Sequence, residues 1–330
     1  MNHKCFQDRL ATGSLPLLVA SLVAVAYWWL VPSGAPLAVS GTCWEALATC
    51  IPGYVWRIGG FVLYVSGVLA LAGVTVHHAL IRVYSTFYLS LFVVFSAVAL
   101  PHTLHAGSVL VCCLLAMFFF LFHTYQRVEP VEIVFQGFFA YGIATLFFPP
   151  AIWYLPFLLI MQSWFHRVTV RVLFAMLVGA MLPYWFLFAY AYTADDMDFF
   201  VTLLRDAVAF MPIDYTVLAP MQIAGLGVAV LLTGWSCVLY AASSYHDKIR
   251  TRTFIYYVMA VAVFSLVFLL LQPQYYAVLM SPVVLCCSLL AGHYLAVTRD
   301  RRSLVTSVVL LVVMTALYVF NLWIQLYSSF

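Results

Sequence analysis

SVVLLVVMTALYVF, residues 307–320, is the stretch on which the fold turns. It is fourteen residues without a charge and without the strict in-out alternation of a barrel strand. A membrane β-strand reads as a weak segment of alternating polarity. A continuous apolar run of this kind reads as a helix, which satisfies its own backbone hydrogen bonds where lipid cannot. Working outward, the same texture recurs along the chain. The composition is 66% hydrophobic and 8% charged, with mean hydropathy +1.07. Soluble domains average about 25% charged residues, so this chain cannot cover a water-facing surface with charge.

Runs near the roughly 20 residues that cross about 30 Å of hydrocarbon predict eleven spans. They lie at 14–32, 58–75, 85–101, 106–123, 133–148, 149–164, 172–191, 218–241, 253–271, 275–296 and 304–325. The first follows Lys4 and Arg9 as a signal peptide would, but it is long for one and no clean cleavage site follows, so it is read as a retained helix. The pair 133–164 reads as two short helices hinged at Pro149-Pro150, or as one kinked re-entrant pair. The expectation is one all-α membrane domain over 1–330, with no water-soluble domain and no visible internal repeat.

Charge assigns sides. Lys4, Arg9, Arg82, Arg127, Arg167, Arg171, Lys248, Arg250, Arg252, Arg299, Arg301 and Arg302 fall in every second gap, leaving Arg57 and Arg205 for the others. Basic loops stay in the cytoplasm, which predicts the N-terminus inside, the C-terminus outside and a bacterial inner-membrane location. The basic loops need no further role than topology and contact with anionic lipid heads; no nucleic-acid partner is expected.

Two longer loops, 33–57 and 192–217, then share the outer face. The first holds Cys43, Glu45 and Cys50; the second holds Asp195, Asp196, Asp198, Asp206 and Asp214. Three carboxylates within four residues, Asp195, Asp196 and Asp198, suit a hard cation or a general base, and equally a solvated acidic surface. Glu45 reads either as a catalytic acid or as a surface residue of an interfacial helix. Cys43 and Cys50 are a candidate disulfide, since an oxidising compartment permits one. On an unbroken helix their Cα atoms would stand about 10.5 Å apart, beyond the roughly 7 Å a disulfide spans, so the bond requires a loop that doubles back.

His102 and His105 form an HxxH turn, and His77 and His78 sit at the end of the second span. Such pairs can share a metal, but no third ligand has a characteristic spacing, and polar anchoring is the other reading. His293, late in the tenth span, is an intramembrane ionisable group and by default a functional candidate, or a side chain that snorkels to the interface. Cys112, Cys113, Cys237, Cys286 and Cys287 read as small packing residues. Gln136, Gln162, Asn321 and Gln325 are candidates for interhelical hydrogen bonds, and Gly137 and Gly142 for close helix contact. Trp28, Trp29, Trp153, Tyr154 and Trp185 read as an interfacial belt.

The stretch STFYLSLFVVFSAVALPHTLHAG, followed by VEPVEIVFQGFFAYGIATLFFPPAIWYLPFLLIMQSWFHRVTVRVLFAMLVGAMLPYWF, carries a resemblance. It combines a helix ending at Pro101, a GxxxxGIATLFFPP hairpin, the Arg167/Arg171 loop and a helix with Gly179 four residues before Pro183. Over 85–187, about a third of the chain, this resembles an uncharacterised family of Bacteroidota polytopic inner-membrane proteins. It is similar, more distantly, to the membrane half of the GT-C glycosyltransferases. The GT-C resemblance implies sugar transfer from a polyprenyl-phosphate carrier at the outer face, with Glu45 as the first-loop acid and a divalent cation if that chemistry operates. The family's second acid would fall near His102–His105, where none stands, and the basic residue of its glycine-rich helix is absent. Three functions follow. They are a component of envelope glycan assembly with other envelope proteins as partners, an active GT-C-like transferase using Glu45 or Asp195, Asp196 and Asp198, and a small-solute or lipid transporter relying on His293 and the glutamines.

Overall fold

The computed structural model describes residues 15–30, 52–82, 85–298 and 301–328. Twelve α-helices are described among these residues: α1 Leu15–Leu30, α2 Gly53–His77, α3 Phe87–Ala99, α4 Ala106–His123, α5 Val131–Phe147, α6 Tyr154–Met161, α7 Val170–Thr193, α8 Met197–Val208, α9 Pro220–Ser243, α10 Ile249–Leu271, α11 Tyr276–Val297 and α12 Arg301–Ser328. No strand occurs among the described residues. Among the described residues six helices are long and apolar enough to cross a membrane: α2, α4, α7, α9, α10 and the run Pro273–Val297 that contains α11. The helices α1, α3 and α5 and the stretch Val305–Asn321 of α12 are apolar but shorter.

Each expected span has a helix in its place, and two features differ from expectation. The segment 149–164 is helical from end to end but keeps α geometry only over the eight residues of α6, between 3-10 turns Pro149–Trp153 and Gln162–Trp164. The hinge falls at Pro149-Pro150 because proline has no N–H to continue α5, yet suits the first position of a new helix. The loop 192–217 is not irregular throughout, since it contains α8.

The described chain forms two compact units. One gathers 52–78 and 103–211. Its helices α2, α4, α5 and α7 pack in chain order, each on the next. The α5–α7 contact is backbone to backbone: a Cβ on Gly142 would lie 2.5 Å from the Ala180 carbonyl oxygen, and one on Gly179 would lie 2.7 Å from that of Phe135. Such close approach supplies dispersion between the two backbones, the kind of contact that holds helices together where no hydrophobic drive acts between them. Gly137 plays the milder part expected of it, facing the Leu121 side chain at 3.2 Å. The helix α8 packs on Pro149–Trp153 and on α7.

The other unit gathers 15–30, 79–102 without 83–84, 212–298 and 301–328. Its centre is α11, on which α3, α9, α10 and α12 pack, while α1 packs on α3. Every residue from Val278 to Ala296 is buried. A helix apolar all round is one surrounded on all sides. Gly292 lets α3 close on it, because a Cβ there would lie 2.6 Å from the Tyr88 Cα. Asn321 donates from Nδ2 to the Val98 carbonyl at 3.2 Å, an interhelical bond of the kind the sequence suggested. Gln136 is exposed instead, Gln162 bonds locally to His166, and the Gln325 side chain lies outside the described residues.

Candidate functional site

Polar side chains gather where α9 hands over to α10. The last α turn of α9 tightens into the 3-10 turn Ser244–His246, and the Asp247 N–H bonds back to the Ser244 carbonyl at 3.2 Å. This turns the Asp247 side chain inward, leaving it 2% exposed, while Lys248 and Arg250 face outward. Across from it, His293 of α11 is 1% exposed, and its Nε2 stands 3.5 Å from Asp247 Oδ2. The Tyr240 hydroxyl of α9 donates to the same oxygen at 3.4 Å, and its ring meets the imidazole edge to face at 5.3 Å. Tyr256 of α10 packs against Tyr240 at 5.6 Å and bonds through its hydroxyl to Ser244 at 3.0 Å. The Leu80 backbone and the exposed Arg82 guanidinium also act on the imidazole. Neither ring nitrogen of His293 meets strict hydrogen-bond geometry, and Asp247 Oδ1 has no hydrogen-bond partner among the described residues.

A carboxylate and an imidazole in contact away from water can share one proton or stand as opposite charges. Either state costs desolvation, and a buried ion pair often stabilises no more than an apolar replacement would. The pair therefore has more to offer as chemistry than as glue. The sequence pointed to His293 but passed over Asp247, Tyr240 and Tyr256. One signal was present: Asp247 is the sole acid between Asp214 and Asp300, set in the basic loop HDKIRTR.

The expected outer-loop site looks different. Glu45, and Cys43 with Cys50, lie outside the described residues. Asp195, Asp196 and Asp198 do come together, at the start of α8, and all three are exposed. Asp195 takes a left-handed backbone with φ 56°, which Asp tolerates. Asp196 is the N-cap, its Oδ1 accepting from the Phe199 N–H at 3.3 Å, and Asp198 occupies the first turn. Acids there complement the helix dipole, as Arg205 does in the last turn. Asp214 likewise accepts from the Thr216 N–H and hydroxyl at 2.9 and 2.6 Å, bonds that hold its carboxyl below the usual range.

The histidine pairs are separately engaged. His102 bonds the Ala97 carbonyl at 2.8 Å and packs against Tyr27 and Trp28. His105 bonds the Thr103 carbonyl at 2.9 Å, and burial pushes it down to about 4, against the opposing effect of that carbonyl. His78 bonds the Phe119 carbonyl, while Arg127 donates to His123 Nε2 at 2.8 Å with His77 stacked on the same imidazole. Among the described residues no group of three or more His, Cys, Asp or Glu side chains is placed to hold a metal ion. The cysteines of the spans are free and at least half-buried, as packing residues should be. No protein-family model, curated protein or solved structure matches the chain.

Proposed function

We propose that the chain is a multi-pass protein of a bacterial inner membrane, crossing eleven times with its N-terminus in the cytoplasm and its C-terminus outside. In this reading it is a non-catalytic component of envelope glycan assembly, on a GT-C-like scaffold, working beside other envelope proteins and polyprenyl-phosphate-linked glycan. The alternation of basic loops supports the orientation. The resemblance over 85–187 supports the glycan setting. The observation that carries the non-catalytic part is the use of Asp196 and Asp198 as the exposed cap and first turn of α8. Catalytic carboxylates work best where water is excluded. The test is the glycan profile of cells carrying Glu45→Gln or Asp196→Asn, beside cells lacking the protein. Deletion alters the profile and both substitutions leave it intact. A substitution that abolishes the glycan product at normal protein abundance replaces this reading with the transferase.

A second reading, a small-solute or lipid transporter, is favoured by the buried Asp247–His293 pair. His293 lies within a spanning helix and Asp247 in the connection at its end, where a proton relay or solute path would meet the cytoplasm. It predicts that vesicles containing the protein and a pH-sensitive dye take up protons under an imposed pH gradient, and that Asp247→Asn and His293→Gln each stop this. Equal rates in all three proteins, no faster than in empty vesicles, remove the reading.

A further inference from the structure

The helix α8 divides its surface three ways. At 3.6 residues per turn, Met197, Val201, Leu204 and Val208 fall on one stripe, and all four are exposed. About 100° to one side lie Leu203 and Ala207, buried where α8 meets the Pro149–Trp153 turn and α7. About 100° to the other side lie Asp198, Thr202 and Arg205, all exposed. One arc therefore faces protein, one is polar, and the stripe between them is apolar and exposed.

The stripe does not stand alone. Phe200 of α8 meets Phe188 of α7 edge to face at 5.4 Å, and Phe188 stacks toward Tyr192. Beside them α7 exposes Trp185, Phe186 and Tyr190, an aromatic flank on a helix long enough to cross a membrane. The α8 stripe extends this flank, and Phe210 and Met211 prolong it beyond the helix as exposed apolar residues. A helix with an apolar stripe beside a polar arc is the form that lies in the plane of a bilayer interface. Helices drawn to anionic lipid carry lysine and arginine on the polar arc. Here Arg205 stands against Asp198 and the half-buried Asp206, with Asp195 and Asp196 at the N-terminus.

We propose that α8 is an in-plane anchor that seats its Met197/Val201/Leu204/Val208 stripe in the interfacial layer of a zwitterionic lipid surface, holding by apolar burial without basic attraction. The assignment rests on the membrane reading of the chain. The test places a benzophenone photocrosslinking amino acid singly at Val201, Leu204 or Val208, at Thr202, and at Val178, an exposed position on α7. Each full-length protein is irradiated in phosphatidylcholine nanodiscs and its adducts are weighed. Lipid adducts at 201, 204 and 208, several-fold above those at 202, are the expected result, and replacing part of the phosphatidylcholine by phosphatidylglycerol leaves the yield unchanged. Adducts at 178 without adducts at 201, 204 and 208 overturn the anchor and leave the membrane reading standing. Absence at 178 as well overturns both. Crosslinks from the stripe to protein mean that a second copy or another protein covers it, and a yield that rises with phosphatidylglycerol contradicts the zwitterionic assignment. All the substituted side chains are exposed, so folding is preserved. Val201→Asp provides an independent reading: in the full-length protein in nanodiscs it speeds amide exchange across 197–208, and equal exchange in wild type and variant counts against the anchor.

Discussion

Removing one partner of the buried pair is predicted to cost far more than removing both. In its opposite-charge state the pair, 3.5 Å apart, attracts by about 5 kcal/mol at an effective dielectric near 20. Losing one partner leaves the other buried charge uncompensated, which costs about 3–5 kcal/mol, whereas a well-packed apolar pair is often neutral. Asp247→Leu and His293→Leu should each destabilise by that amount, and the double variant by less than either. The coupling should then exceed about 3 kcal/mol, above the 0.5–3 kcal/mol usual for contacting residues. At roughly 2 °C per kcal/mol for a chain of this size, each single variant loses about 6–10 °C. A thiol-reactive dye in mild detergent reads this in a background that keeps only Cys286 and Cys287, which are buried in α11 and react on opening. Two single losses that simply add in the double variant would refute the reasoning, since they would show that the two side chains do not sense each other.

Other outcomes follow from local geometry. Gly142→Ala brings a Cβ onto the Ala180 carbonyl and should lower thermal stability markedly, while Gly227→Ala and Gly234→Ala, which meet nothing within 4 Å, should be neutral or stabilising by up to about 1 kcal/mol; similar melting of all three would refute the tight α5–α7 crossing. Asp196→Ala removes the α8 cap, worth about 1 kcal/mol, so amides of its first turn should exchange about fivefold faster, and unchanged exchange would show that the cap carries nothing. His105 binds a proton near its ordinary 6.5 when unfolded but near 4 when folded. Stability should therefore fall by about 3 kcal/mol as pH drops from 6.5 to 4, and His105→Gln should flatten that part of the melting-temperature profile; an identical profile would contradict it.

The helices were legible because uninterrupted apolar length is itself the signal, and Pro149-Pro150 marked its own hinge. Gly142 was legible as a contact for the same reason, since glycine in an apolar helix leaves room for a neighbour. Its partner Ala180 was not, because pairing is decided between helices. The helix α8 was read as loop, since its apolar residues at 197, 201, 204 and 208 are interleaved with acids. There the 3.6-residue period carries the information that mean hydropathy conceals. The three acids at its start looked like a site because clustering in sequence does not distinguish a cap from a ligand set. Asp247 was hidden in the opposite way. In sequence it sits in a basic loop whose charges set topology, and it becomes a buried partner of His293 only when a 3-10 turn rotates its side chain inward.

The central claim is that these helices cross a membrane with the basic connections on one side and the α8 connection on the other. Single-site labelling by a membrane-impermeant reagent tests it, with a tag residue placed at position 196 or at position 248 and the reagent applied to intact cells after outer-membrane permeabilisation. Position 196 should label at once and position 248 only after the inner membrane is opened. Labelling of both from outside, or of 248 alone, would contradict the account.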